Sequence, residues 1–330
     1  MSRNANFVLV FLVLTLFLAA GLYLGGKSTF PLATENYAAC ALSMDEIIKS
    51  GLGDVYNFEG VTDFEEPAFH YLTRYSVDGD TLSTPLLETV PAELHDEQTD
   101  SALQNQAWGI FTELIPVQDR QMVAQFNVFT DGYSNTLAAV DQTPQDLSDW
   151  MLEVDIADLK DKDALIFTMI HEYAHLLTLN ATQVTPDPDT VKDPFNLKLQ
   201  REKAATCDTY YTGTGCSHED SYIQAFYARF WTDIHDEWAE IDELQYGKDD
   251  LVPYYNALYD FYLTHQDQFV GDYAVTHPAE DIAESFTHFV FSPKPMGNSI
   301  KEQKIAFFYE YPELVELREH ILSGACSLEN

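Results

Sequence analysis

The feature that most constrains this chain is a predicted helix over residues 161–180 that is apolar on nearly every side. Leucine, isoleucine, phenylalanine, methionine and alanine fill most positions of residues 164–170 and 176–179. A helix without a polar face is a buried helix. Asp161 or Asp163 can cap its first turn by accepting a backbone N–H. The sequence therefore predicts a central helix against which the rest of the chain must pack.

The same helix contains His171, Glu172 and His175, in the order His-Glu-Tyr-Ala-His. Burying two imidazoles and a carboxylate costs free energy unless each finds a partner. Residues four apart share one face of a helix, so His171 and His175 can bind one Zn²⁺ ion together. Glu172 then lies beside the ion, where a general base for a water molecule is needed. The alternative is a core helix whose histidines make ordinary hydrogen bonds, but the buried setting favours a metal.

A catalytic zinc site needs a third protein ligand and one position left for water. An extended motif with glycine at position 178 and histidine at position 181 is excluded, because these residues are Thr178 and Ala181. A helix predicted over residues 278–291 offers Glu280 and Glu284, four residues apart on one face. The first can bind the metal, while the second can orient a ligating histidine through its other ring nitrogen.

Other candidates for the third ligand remain open from the residues alone. They are Glu284, Asp281, His277 and His288, and more remotely His235 with Glu237. Glu284 is the strongest of these, because the sequence does not fix which face of the helix meets the metal. His277 is expected at the start of the helix, and His288 two turns beyond Glu280. His235 and Glu237 are better explained as exposed helix residues.

The two stretches together resemble the gluzincin metallopeptidases, and most closely the family of protease domains typified by anthrax lethal factor. The shared elements are the His-Glu-x-x-His motif and the later pattern Tyr-x₆-Glu-x₃-Glu, which here spans residues 273–284. The resemblance implies that Glu280 is the third zinc ligand and that Tyr273 contacts the reaction centre. It covers two short stretches, and His175 and Glu280 are 105 positions apart, which is more than members of the family usually have.

The order of predicted elements fits this resemblance. Alternating patterns predict strands at residues 68–77, 122–129, 136–140 and 150–156, with a return strand from residue 81 and a helix at 99–114. After the motif helix we predict a loop at 184–193, a long aromatic helix at 221–244, helices at 251–265 and 278–291, and a helix pair at 300–322. The expected fold is α+β and zincin-like. A small mixed sheet is followed by a mainly helical lower half, with the active site at their interface.

The beginning of the chain divides into two further regions. Residues 7–24 are an uncharged run of 18 residues, which as a helix would be about 27 Å long, near the roughly 30 Å of a bilayer core. Residues 1–30 are therefore a signal anchor or a cleaved signal peptide. Residues 31–97 form an N-terminal region that could be an accessory domain, a pro-segment or an extension of the catalytic domain. Residues 98–330 form the predicted catalytic domain.

Charge excludes one class of partner. The chain carries 17 Lys and Arg against 54 Asp and Glu, a formal net charge of −37 at pH 7. Nucleic acids and anionic membrane surfaces repel such a chain, so membrane contact is expected only through the N-terminal segment. A hydrophobic content of 46% is ample for a packed core.

The four cysteines are consistent with an exported chain. We predict the pairs Cys207–Cys216, which closes a short loop, and Cys40–Cys326, which joins the two ends of the ectodomain. A metal site at Cys207, Cys216 and His218 lacks the usual spacing of zinc-binding cysteines. The expected location is extracytoplasmic, either secreted or attached to the membrane by the N-terminal segment.

The expected function is zinc-dependent peptide-bond hydrolysis by an exported or membrane-anchored metalloendopeptidase, with a water molecule activated by Glu172. The partner would be a protein or peptide substrate. Two alternatives remain: a non-enzymatic surface or binding ectodomain with a structural zinc site, and a zinc hydrolase of a non-peptide substrate. The presence of Glu172 argues against the first of these, because a structural site needs no base.

Overall fold

The computed structural model of the chain describes residues 44–53, 69–132, 136–157, 159–248 and 250–328. The segment at residues 7–24, predicted to be a signal anchor or signal peptide, lies outside these ranges, and so does Cys40 of the predicted Cys40–Cys326 pair. Among the residues described, no helix is both long enough and apolar enough to cross a membrane.

One small mixed sheet of six strands precedes the motif helix in the chain. Its strands are β1 (His70–Asp78), β2 (Thr81–Leu82), β3 (Leu86–Leu87), β4 (Val123–Thr130), β5 (Ala138–Gln142) and β6 (Trp150–Asp155). Their order is β2–β1–β4–β6–β5, and β3 also pairs with β1. Strands β4 and β6 are parallel, whereas the other described pairs are antiparallel. The predicted strands are thus confirmed, and β5 lies at one edge of the sheet.

Strand β1 connects the N-terminal region to the region that follows residue 97. It pairs with β4 from His70 opposite Thr130 to Ser76 opposite Gln125. Gly79 has a φ of 61° in the turn to β2, a conformation that glycine adopts without steric cost. The sheet therefore crosses the boundary that the sequence suggested between residues 97 and 98. Residues 70–78 thus belong to the same sheet as residues 123–155.

Helices form the remainder of the described chain. They are α1 (Met44–Gly53), α2 (His95–Thr99), α3 (Ser101–Leu114), α4 (Lys162–Leu179), α5 (Pro188–Lys192), α6 (Leu197–Ala204), α7 (Tyr222–Phe230), α8 (His235–Asp242), α9 (Val252–Thr264), α10 (Pro278–Phe291), α11 (Ile300–Phe307) and α12 (Pro312–Leu328). A short antiparallel pair, β7 (Val184–Pro186) and β8 (Gly215–Ser217), lies among them. The expected α+β architecture, a small mixed sheet followed by a helical part, is confirmed.

The motif helix α4 lies in the core, as its apolar sequence predicts. The side chain of Asp161 caps it by accepting the N–H of Ala164 at 3.0 Å. Helix α4 packs against α1, α10 and the edge strand β5, and Leu165, Ile170 and Leu176 are fully buried. The candidate site lies where α4 meets α10 and β5, because the polar side chains of α4 face these two elements.

Two predictions about the region after α4 are wrong. Residues 184–193 are not a loop, because β7 pairs with the distant β8 and α5 follows it. Residues 221–244 are not one helix, because the chain turns between α7 and α8. The turn carries Trp231 into the core, where its indole N–H donates to Asp281 at 2.7 Å. Both errors come from contacts between residues that are far apart in the sequence.

The predicted disulfide between Cys207 and Cys216 is confirmed. It closes the loop between α6 and β8, a loop that forms part of the wall of the cavity described below. Disulfides of this kind persist in oxidising compartments.

Candidate metal centre

Three side chains that can bind a metal converge between α4 and α10. His171 and His175 are one turn apart on α4, and Glu280 lies in the first turn of α10. The Oε2 atom of Glu280 is 3.0 Å from Nε2 of His171 and 3.3 Å from Nε2 of His175. The two Nε2 atoms are 3.2 Å apart, and all three residues are buried. Together they could hold one metal ion.

The start of α10 fixes the position of Glu280. Pro278 occupies the first turn, where its missing N–H is not needed. His277 precedes it and caps the helix, because its Nδ1 accepts the N–H of Ala279 at 3.0 Å. His277 is therefore a capping residue, as expected for a histidine at the start of the helix.

Glu284 lies one turn after Glu280 and behind the first histidine. Its Oε1 atom is 2.8 Å from Nδ1 of His171, and both side chains are buried. When Nδ1 donates its hydrogen to Glu284, the lone pair of Nε2 is free to bind a metal. The structure thus places Glu280 towards both histidines and Glu284 on the far side of His171.

The other candidates for the third ligand lie elsewhere. Asp281 faces away from the histidines, with the ammonium of Lys304 at 2.6 Å. Glu237 accepts a hydrogen bond from His265 at 3.2 Å. In the described part of the chain, His171, His175 and Glu280 are the group of three or more potential ligands that comes close enough to share an ion.

The electrostatics of the cluster favour a cation. Burial by itself lowers the pKa of His171, but its hydrogen bonds to Glu280 and Glu284 outweigh burial and raise that pKa well above its usual value. Burial by itself raises the pKa of Glu280, but His175 and His171 outweigh it, so the pKa of Glu280 is well below its usual range. A buried site that holds one carboxylate against two imidazoles is stabilised by added positive charge, which a divalent ion supplies.

The donor set also fits a metal. Two imidazole nitrogens and one carboxylate oxygen are the ligands of many catalytic zinc sites. The Nδ1 atom of His175 is buried and has no hydrogen-bond partner among the described residues. Its Nε2 atom faces the cluster, 3.3 Å from Oε2 of Glu280, and is therefore the atom of His175 that could bind a metal.

Glu172 lies beside this cluster rather than in it. It is 4% exposed, and the backbone N–H of Val140 on β5 donates to its carboxylate. Burial raises the pKa of Glu172 to about 7, against the opposing effect of His175 and His171. A carboxylate with such a pKa can both accept and release a proton near neutral pH.

A cavity of about 580 Å³ opens beside the metal ligands. His175, Glu280 and Tyr273 line its inner end, and Tyr273 is buried with its ring 5.8 Å from that of His171. The indole N–H of Trp238 donates to the carbonyl of Val275 at 2.9 Å, which holds the turn that carries Tyr273. The cavity therefore joins the tyrosine, the metal ligands and solvent-accessible space.

The sequence did not predict the residues that form the rest of this cavity. Ten aromatic residues line it, and most come from the long segment between His175 and Glu280. Trp238, one of the aromatic residues of the helix predicted at 221–244, packs in the core and lines the cavity as well. The unusual density of tyrosines at 210–211, 246 and 254–255 was the signal that could have indicated a binding surface.

Comparison of the chain with family models, curated proteins and solved structures returned no match. The resemblance to the gluzincin family therefore rests on the two sequence motifs.

Replacing Glu280 by Ala is expected to lower zinc affinity by more than about 100-fold, and replacing Glu284 by Ala by about 10–100-fold. The first change removes a ligand atom, whereas the second removes the acceptor that orients His171. Competitive titration with a chromophoric chelator measures both, and Glu237→Ala, which lies outside the cluster, serves as the control. The reverse order would show that the two carboxylates have exchanged roles.

Proposed function

We propose that this protein is a zinc-dependent metalloendopeptidase of the gluzincin type with a zincin-like fold. The observation that carries the proposal is the buried cluster of His171, His175 and Glu280 with Glu172 beside it. A structural zinc site is normally closed by four protein ligands, whereas this cluster supplies three and adjoins a cavity.

Zinc is the ion that we expect in this site. When bound, it would polarise a substrate carbonyl and lower the pKa of a water molecule. The chain's own contribution is to hold His171 in one orientation through Glu284 and to keep the ligands away from bulk water.

Glu172 would move the protons of the reaction. It would take a proton from the attacking water and deliver it to the nitrogen of the leaving amine. Burial raises the pKa of Glu172 above its usual value, which makes the carboxylate a stronger base. Val140 keeps the carboxylate in place through its backbone N–H.

The edge strand β5 supports a peptide as substrate. Leu137 accepts the N–H of Asp155 on β6, and the N–H of Thr143 donates to Asp149, so alternate residues between them face β6. Val140 and Gln142 lie between these positions and face the free edge, where their N–H groups donate to Glu172 and Asp141, so their carbonyls are the groups that an added strand could use. Gln142 also lines the cavity. An extended peptide can add to such an edge through backbone hydrogen bonds.

We further propose that the chain is exported, either secreted or held by its N-terminal segment. The disulfide Cys207–Cys216 supports this, because cytosolic thiols are kept reduced.

The experiment that tests the function is metal analysis combined with cleavage of casein and of a peptide library. We expect one zinc per chain, cleavage that stops on treatment with a chelator, and recovery when Zn²⁺ is restored. One bound zinc without cleavage of any substrate would favour a structural site. Hydrolysis restricted to non-peptide esters or amides would favour the alternative zinc hydrolase.

Tyr273 is expected to donate a hydrogen bond to the carbonyl oxygen as negative charge develops on it. Tyr273→Phe should lower kcat by about 10²–10³-fold, the typical loss for one oxyanion donor, with KM and zinc content nearly unchanged. Tyr255→Phe, which removes a hydroxyl elsewhere in the same cavity, is the matched control. Full activity of Tyr273→Phe would show that Tyr273 only packs against His171.

A further inference from the structure

The cavity reaches from the metal ligands to Asp242, the last residue of α8. Tyr254 also lines this cavity. Burial raises the pKa of Tyr254, and the negative charges of Asp242 and Glu280 both add to this effect. Both Asp242 and Glu280 therefore lie close to Tyr254, and all three line the same cavity.

Asp242 is half-buried among tyrosine side chains. Its carboxylate accepts hydrogen bonds from the amide of Gln245, at 2.6 Å, and from the hydroxyl of Tyr246. Burial raises the pKa of Tyr210, Tyr246 and Tyr254. The negative charge of Asp242 is close enough to these tyrosines to raise their pKa further. Neutral donors hold the carboxylate in position, but they do not balance its charge.

The described walls of the cavity offer no cation for Asp242. Arg201 is the one lysine or arginine among the lining residues, and its guanidinium lies 2.5 Å from Glu243 at the rim. Burial accordingly raises the pKa of Asp242 to about 7, although Gln245 and Tyr246 lower it in part. An acid in such a position gains more from a cationic ligand than from a neutral one.

The charge and lining of the cavity favour one class of side chain. An acidic side chain would meet Asp242 and the field of a chain whose net charge is −37. Aliphatic and aromatic side chains can contact the tyrosine rings but leave the charge of Asp242 unbalanced. A long cationic side chain can satisfy the carboxylate and pack against tyrosine faces, which attract cations.

We propose that this cavity binds a lysine or arginine side chain of the peptide substrate, with the cationic group at Asp242 and the methylene chain against the tyrosine rings. The proposal rests on the proposed peptidase function and adds the substrate class. It makes Asp242 a specificity-determining residue.

The first test measures binding separately from hydrolysis. A positional library first identifies which position next to the scissile bond is selective. Zinc-loaded Glu172→Gln protein is then titrated by calorimetry with peptides that differ only at this position, where they carry Arg, Lys, Phe, Leu or Glu. We expect the Arg and Lys peptides to bind about 10–100-fold more tightly than the Phe and Leu peptides, with the Glu peptide weakest.

Asp242→Asn should remove this preference, because the amide keeps an acceptor for Gln245 and Tyr246 but has no charge. Retained binding of the Phe peptide would show that its cavity is intact. Asp236→Asn is the matched control, since it removes the same charge from an exposed position on the same helix. It should leave the preference for Arg and Lys within about twofold of the original, because exposed charges at a distance are screened.

The outcomes separate this inference from the proposed function. Cleavage that prefers Phe or Leu and is unaffected by Asp242→Asn would overturn the inference and leave the peptidase function standing. Tight binding of Arg peptides that wild-type protein never cleaves would support the inference and count against the function. Neither binding nor cleavage of any peptide would overturn both.

Discussion

Glu172→Gln is expected to lower kcat for peptide hydrolysis by about 10²–10⁴-fold while leaving zinc content and fold unchanged. The carboxylate lies beside the metal ligands, not among them, so its loss removes no ligand atom. Glutamine has the same shape and can still accept the N–H of Val140, but it cannot accept a proton from water. Loss of a general base typically costs about 10²–10⁴-fold in rate.

The measurement is kcat on the best library peptide together with elemental analysis and circular dichroism of the same sample. Glu237→Gln is the control, because this glutamate is exposed and bonds to His265 outside the site. If Glu172→Gln lost its zinc in proportion to its activity, Glu172 would be a structural residue. If it kept both zinc and activity, another group would have to be the base.

The pH dependence of hydrolysis is expected to show an acidic limb set by Glu172. Burial raises the pKa of this carboxyl to about 7, and the charges of His175 and His171 oppose the rise. A base acts only when ionised, so activity falls as the pH drops below its pKa. A bound cation adds to the effect of the histidines and lowers this pKa. The decrease of kcat/KM on the acidic side should therefore lie below pH 7. A limb above pH 8 would contradict this assignment.

Lys304→Met is expected to destabilise the protein by about 3–5 kcal/mol, the cost of leaving a buried charge without its partner. Lys304 and Asp281 are both fully buried, and their charged atoms lie 2.6 Å apart. The ammonium also lies 3.9 Å from the centre of the Phe269 ring. Burial raises the pKa of Asp281, and the pair with Lys304 is the main effect that opposes this rise.

The position of this ion pair connects stability to the site. Asp281 follows Glu280 on α10 and faces the opposite way, so Lys304 on α11 holds the helix that carries Glu280. Lys304→Met should therefore weaken zinc binding as well as stability. Urea unfolding of the metal-free protein and chelator competition measure the two effects separately.

A double-mutant cycle identifies the cause of the destabilisation. In Lys304→Met/Asp281→Asn the buried position is neutral, and the asparagine still accepts the N–H of Trp231. The double variant should recover most of the lost free energy of unfolding. Lys301→Met, on the same helix but only half-buried, should change stability by less than about 0.5 kcal/mol. A loss below about 1 kcal/mol in Lys304→Met would show that the pair is not a major stabilising interaction.

Helix α10 shows how far local sequence can predict this site. Its bounds were predicted at both ends, because Pro278 suits a first turn and Pro293 stops the chain from continuing as a helix. The spacing of Glu280 and Glu284 placed both on one face. Which of them meets the histidines depends on how α10 lies against α4, and a sequence pattern contains no information on that rotation.

The sequence by itself determined the helix at the centre of the candidate site, which is buried and presents His171 and His175 on one face with Glu172 beside them. This follows from the fixed 3.6-residue period of a helix, which acts over a few residues. Tertiary structure alone decided that β1 extends the same sheet, that Glu280 completes the cluster and that the segment after α4 folds into a tyrosine-lined cavity ending at Asp242. These arrangements depend on packing between residues far apart in the chain. Hydrophobic burial drives such packing but is non-directional, so a local sequence pattern does not show which distant residues meet.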